Sequence, residues 1–196
     1  MELLGVLLAS FISSFLINNV LLSRVLGVCS FIGVSKKMEN VFGMSAAVIL
    51  VMVVSTVLTY PLYYFILAPL EIAFLETIAF ILVIASVVQL LELVMKKFLP
   101  SLYRGLGVFL PLITSNCAVL GVALGVASGG EAVNFLDALV TTFGSALGYS
   151  LVLIVFSAIR IKLDSQDVPK AFKGLPIAFV TAALMSLAFI GFAGLI

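Results

Sequence analysis

The stretch Leu106-Gly107-Val108-Phe109-Leu110-Pro111-Leu112-Ile113-Thr114-Ser115-Asn116-Cys117-Ala118-Val119-Leu120-Gly121-Val122-Ala123-Leu124 is an apolar run with a polar interruption at its centre. No charged residue stands between Arg104 and Glu131. That is enough chain to cross a bilayer core, which takes about 20 residues of helix. Pro111 has no backbone N–H, so a helix here cannot keep every rung of its hydrogen-bond ladder. In hydrocarbon a freed carbonyl needs a partner, and Thr114, Ser115 and Asn116 can supply one. The run reads as a membrane span broken near its middle, with a kinked but continuous helix as the alternative.

Working outward, five further stretches are long and apolar enough to span: roughly 3–33, 41–66, 74–95, 133–159 and 174–196, beside 102–127. Of the 196 residues 64% are apolar and 10% charged, where soluble domains carry about a quarter charged, so lipid is the expected solvent. The expectation is an all-α integral membrane protein with six transmembrane helices in a single membrane domain, 1–196. The start, Met1-Glu2-Leu3-Leu4, lacks the basic segment of a signal peptide, so the first run is expected to be a retained helix. A net charge of +1 gives no footprint for nucleic acid. With no His, these residues offer no imidazole for acid–base work or metal ligation.

Charge orients the spans. Arg24, Lys36 and Lys37 lie near the first connection, Lys96, Lys97 and Arg104 flank the third, and Arg160, Lys162, Lys170 and Lys173 occupy the fifth; these are all ten basic residues. The second connection, around Glu71, and the fourth, Ser128-Gly129-Gly130-Glu131, have none. By the positive-inside rule the odd connections are cytoplasmic and both termini lie outside. Glu71, Glu76, Glu131 and Asp137 then read as outer-face charges. Gln89 and Glu92 stand near the inner end of the third span beside Lys96 and Lys97, close enough to the interface to snorkel or pair.

The two halves, about 1–98 and 99–196, echo each other. Leu16-Ile17-Asn18-Asn19 is answered by Leu112-Ile113-Thr114-Ser115-Asn116, Phe42-Gly43 by Phe143-Gly144, and Ile78-Ala79-Phe80 by Ile177-Ala178-Phe179, at offsets of 97, 101 and 99. Three spans per repeat end on the side opposite their start, so the second repeat is inverted relative to the first. Spans one and four correspond, and both carry polar breaks: Asn18, Asn19, Ser23 and Arg24 in the first, Thr114 to Asn116 in the fourth. Both are expected to be discontinuous helices meeting near the midplane.

Each broken span also holds one of the two cysteines, Cys29 and Cys117. Their apolar setting is unusual for a stapling disulfide. A free cysteine in an apolar core often serves as a small hydrophobe, and that reading stands beside a second. Thiolate is the soft ligand that metal and iron–sulfur centres take. A four-thiolate site needs twice this chain's cysteines, so another chain or copy would have to complete it. Gly27, Gly33, Gly121 and Gly125 would permit close backbone approach there, as small residues do at ordinary helix contacts. Inverted repeats with broken helices would equally suit a secondary transporter, although deep carboxylates are scarce.

Three blocks carry a resemblance over essentially the whole chain: Leu26-Gly27-Val28-Cys29-Ser30-Phe31 with Gly33-Val34-Ser35-Lys36-Lys37, the run Leu106–Leu124, and Asp167-Val168-Pro169 with Phe172-Lys173-Gly174. Together they resemble the membrane subunits shared by the Rnf complex and the sodium-pumping NADH:quinone reductase. Asn18-Asn19 and Ala118-Val119-Leu120-Gly121 favour the Rnf branch, with the E-type subunit of the quinone reductase as the alternative. The resemblance implies an electron-transfer component of a bacterial inner-membrane translocase, one with no complete active site of its own. It implies that Cys29 and Cys117 supply two ligands of a 2Fe–2S centre shared with a homologous partner of opposite orientation, the E-type subunit of the Rnf complex. The B-, C-, D- and G-type subunits would complete that complex, which moves electrons between ferredoxin and NAD while translocating Na⁺ or H⁺. Neither flavin nor NAD is expected on this chain, and it carries no dinucleotide fingerprint.

Overall fold

A computed structural model describes residues 2–35, 37–69, 73–98, 112–113, 115–127, 134–166, 169 and 172–193. The predicted break at Pro111 and Thr114, residues 102–111 of the fourth span, and the charges Lys36, Glu71, Arg104, Glu131 and Lys170 lie outside them. Among the described residues every regular element is helical. We number them α1 (Glu2–Ile12), α2 (Val28–Val34), α3 (Met38–Leu62), α4 (Glu76–Phe98), α5 (Cys117–Ala127), α6 (Phe135–Asp164) and α7 (Leu175–Ala193). Their residues are mostly apolar, the composition expected where lipid rather than water faces a helix.

Among the described residues, three helical stretches have the length and composition to cross a membrane: Met38–Leu67, Glu76–Val94 and Phe135–Asp164. Three shorter apolar ones accompany them, Gly5–Ile17, Cys117–Ala127 and Leu175–Gly191. The expected first span is divided. It is helical to Ile17, non-helical over 18–27, and helical again as α2. The fifth runs one turn further than expected, so Arg160 and Lys162 belong to α6 rather than to a connection.

Helix α6 is the central pillar. Of its apolar window 56% is buried, against 17% for α4, which leaves α4 largely facing outward. It packs against α1, α3, α5 and α7. Gly144 and Gly148, one turn apart, make that approach possible. A Cβ on Gly148 would stand 2.5 Å from the Phe15 carbonyl oxygen, and one on Gly144 would meet Ser14 Oγ. Such small-residue faces are how helices close up where lipid provides no hydrophobic drive. Above this contact Phe31 of α2 stacks on Phe156 of α6, with ring centroids 3.9 Å apart.

Candidate functional site

The break after α1 begins where the helix widens. Ser13–Ile17 is a π-turn, closed by Asn18 N–H donating to Ser13 O at 2.7 Å. Such bulges accompany functional sites more often than chance. Buried Asn19 then does what the sequence expects of an intramembrane amide. Its Oδ1 accepts from Leu21 N–H at 3.1 Å and its Nδ2 donates to Phe15 O at 3.3 Å. Ser23 Oγ donates to Asn19 O, and Ser186 of α7 reaches across to Leu22 O at 2.9 Å. Several of the freed backbone groups are thus met within the protein, by side chains and by turns.

The chain leaves this break through two left-handed residues, Val25 at φ +54° and Gly27 at φ +85°. A β-branched residue at positive φ is strained, and such strain persists only where the surroundings enforce it. Gly27 has a second reason to be glycine. A Cβ there would lie 3.0 Å from both Ala118 Cβ and the Tyr149 ring, and 3.2 Å from Asn116 Oδ1. The close approach predicted for Gly27 is thus real. Gly121 and Gly125 give way to Leu26 and Arg24, while a Cβ on Gly33 would make only ordinary contact.

The second cysteine segment is simpler. Asn116 caps α5, its Oδ1 accepting from Ala118 N–H at 3.0 Å, two residues on, as Asn19 does for Leu21. Cys117 is the first residue of α5 and Cys29 the second of α2. The two segments meet through Gly27, whose N–H donates to Cys117 Sγ at 2.9 Å. Both cysteines are free thiols, Cys29 exposed and Cys117 half-buried, and the two side chains adjoin. Residues 88 positions apart in the chain are thereby brought to one place.

Two residues that the sequence did not single out support the site from beneath. Tyr149 of α6 is fully buried and shares a 2.7 Å hydrogen bond with Ser30, the residue after Cys29. Arg160, read in the sequence as a loop charge, is 4% exposed and turned inward. It donates to Ile32 O at 2.9 Å and Ser35 Oγ at 2.6 Å, while Ser157 Oγ donates to Ser35 O at 3.0 Å. The C-terminal carbonyls of α2 carry partial negative charge, which suits a buried cation held, among the described residues, by carbonyl and hydroxyl oxygens. The spacing of Ser157 and Arg160 on one helical face was the available signal. Glu76 and Asp137, expected at the outer face, are each half-buried in the first turn of their helix, where the dipole favours a carboxylate.

The site fits a soft metal centre in its donors. It offers two thiols side by side, one already receiving an N–H, while the buried Nδ2 of Asn116, beside Tyr149 and without a hydrogen bond of normal geometry among the described residues, is a spare N–H donor rather than a ligand. Among the described residues no third His, Cys, Asp or Glu joins the pair. Beside the first break lies a separate polar cavity of about 270 Å³, lined among others by Ser13, Asn18, Arg24, Thr141 and Ser145.

Comparison with known proteins shows the family. Residues 7–196 match the family model described as "Rnf-Nqr subunit, membrane protein". The chain is 50% identical over 184 residues to the A-type subunit of the Na(+)-translocating ferredoxin:NAD(+) oxidoreductase complex of Acetobacterium woodii, covering 94% of this chain and 95% of that one. It is 55% identical over 185 residues to the A-type subunit of the ion-translocating oxidoreductase complex of Aeromonas salmonicida, and 54% identical to the protein of that name from Alcanivorax borkumensis, with the same coverage. With a family model matched over nearly its whole length and relatives at this identity, the chain belongs to the Rnf-Nqr family of membrane subunits.

Proposed function

We propose that this chain is the A-type, electron-transferring subunit of an ion-translocating ferredoxin:NAD oxidoreductase, holding half of a 2Fe–2S centre through Cys29 and Cys117. The observation that carries the reading is that the two thiols adjoin, with the Gly27 N–H of the Cys29 segment donating to Cys117 Sγ. Two thiolates are half of a four-thiolate site. The exposure of Cys29 leaves a face on which a homologous partner of opposite orientation can place its own pair. When bound, the centre would supply one-electron transfer between redox groups on the two sides of the membrane. This chain's part is to hold two ligands, exclude water from Cys117 and place an N–H on its sulfur. Flavin and NAD sites belong, on this reading, to other subunits of the complex.

The same reading takes the chain as six spans in two inverted sets of three, in the bacterial cytoplasmic membrane, with both termini outside. The recurrence of a short helix followed by two longer ones (α2 to α4, then α5 to α7, of which α7 is the shortest of the four longer helices) supports it, as does the matching use of Asn19 and Asn116. The test is iron and acid-labile sulfide analysis of the chain purified with its partner subunits. Wild type is expected to carry a reducible cluster signal. Cys29→Ser and Cys117→Ser should each abolish it while the chain still inserts, and full iron in either variant would sink the assignment.

The polar cavity favours a second reading, a solute carrier of the inverted-repeat kind. Uptake by the isolated chain without iron would support it. Among the described residues its lining has one cation, Arg24, and no carboxylate, which leaves a cation carrier without its counter-charge.

A further inference from the structure

The buried hydroxyl of Tyr149 has a direction that the proton inventory fixes. Ser30 Oγ has one proton, and it donates to Gly27 O at 2.9 Å. The 2.7 Å bond between Ser30 and Tyr149 must therefore be donated by tyrosine. Gly27 in turn donates its own N–H to Cys117 Sγ. A directed chain runs from Tyr149 Oη to Ser30 Oγ, to the Gly27 carbonyl, and from the Gly27 amide to sulfur. The edge of the Tyr149 ring also closes the space beside Gly27 Cα, so tyrosine holds this residue by contact and through Ser30.

We propose that Tyr149 and Ser30 are positioning residues that hold the Gly27 N–H on Cys117 Sγ and thereby raise the reduction potential of the centre bound there. The inference rests on the function proposed above. An N–H donated to a ligand sulfur stabilises negative charge, and the reduced state carries more of it, so such bonds favour reduction. A tyrosine that only filled the core would be replaced by phenylalanine without consequence for the sulfur. A buried hydroxyl with a partner at each end of its chain is a link instead.

The experiment is a redox titration followed by electron paramagnetic resonance on the whole purified complex, with iron counted in parallel. At the potential where wild type is half reduced, Tyr149→Phe and Ser30→Ala should each lower the ratio of reduced to oxidised centre by about fivefold, the effect of one lost hydrogen bond. The double variant should fall no further than the larger single, because both changes cut one chain. Thr142→Val removes a different buried hydroxyl from α6, the partner of Thr56 at 3.0 Å, and should leave the ratio at the wild-type value. Where Tyr149→Phe does not assemble, Ser30→Ala reads the same link. Full iron with unchanged ratios in the variants overturns the proposal, and so does an equal shift in Thr142→Val. A wild-type complex without any cluster signal instead overturns the function on which it rests.

Discussion

The two cysteine segments solve one problem in different ways. Cys117 follows the non-helical Ser115 and Asn116 and opens α5, of which Ala118, Val119, Val122 and Ala123 are buried. Cys29 follows a non-helical passage over 18–27 with two left-handed residues, and sits on a helix of only seven residues. Asn116 needs only to cap a helix, whereas Asn19 pairs both ends of its amide with backbone. The Cys117 thiol is half-buried and receives an N–H; that of Cys29 is exposed. One segment is held by its own helix and the other by its neighbours. What holds the Cys29 segment is α6, through Arg160 and Ser157 at the end of α2 and Tyr149 at its start.

The sharpest way to break this contrast is Arg160→Leu. It leaves Ile32 O and Ser35 Oγ without their buried donor, at about 2–3 kcal/mol for a charge-assisted pair. Thermal unfolding in detergent should show the loss, and maleimide should label Cys29 faster with Cys117 unchanged. Equal acceleration at both thiols would mean that α6 does not hold the segments differently. Next comes Asn19→Ala, at about 2 kcal/mol for two backbone partners lost in an apolar setting. Asn116→Ala should cost less in the isolated chain, about 1 kcal/mol, the typical worth of one N-cap. If Asn116 Nδ2 finds its acceptor at the assembled centre, that order narrows in the complex. A larger loss from Asn116 in the isolated chain would reverse the comparison.

Much of this was legible from residues alone, and the rest was not for a definite reason. Apolar length marks the three long helical stretches, Met38–Leu67, Glu76–Val94 and Phe135–Asp164, and the polar interruption at Asn18-Asn19 marks the break in the first run, because amides are expensive in hydrocarbon unless backbone needs them. The cysteines stood out for the same reason of context. Faces were harder to read. Where a helix is apolar on every side, periodicity no longer tells inside from outside, so nothing distinguished Tyr149 from Tyr60 or Ser30 from Ser35. The spacing of Gly144 and Gly148 is a packing signal that went unread. Arg160 was misplaced because a charge at the end of an apolar run looks like a loop, although the helix continues to Asp164 and carries the guanidinium inward.

The central claim is that Cys29 and Cys117 are ligands of one centre, and their reactivity in the assembled complex tests it most directly. The purified complex is treated with maleimide before and after anaerobic removal of iron, and labelling of each cysteine is read by mass spectrometry of this chain. Both should be protected together while iron is bound, and both should label once it is removed, although Cys29 is exposed in the chain by itself. Labelling of either thiol in the iron-loaded complex, at the rate seen after iron removal, would contradict the account.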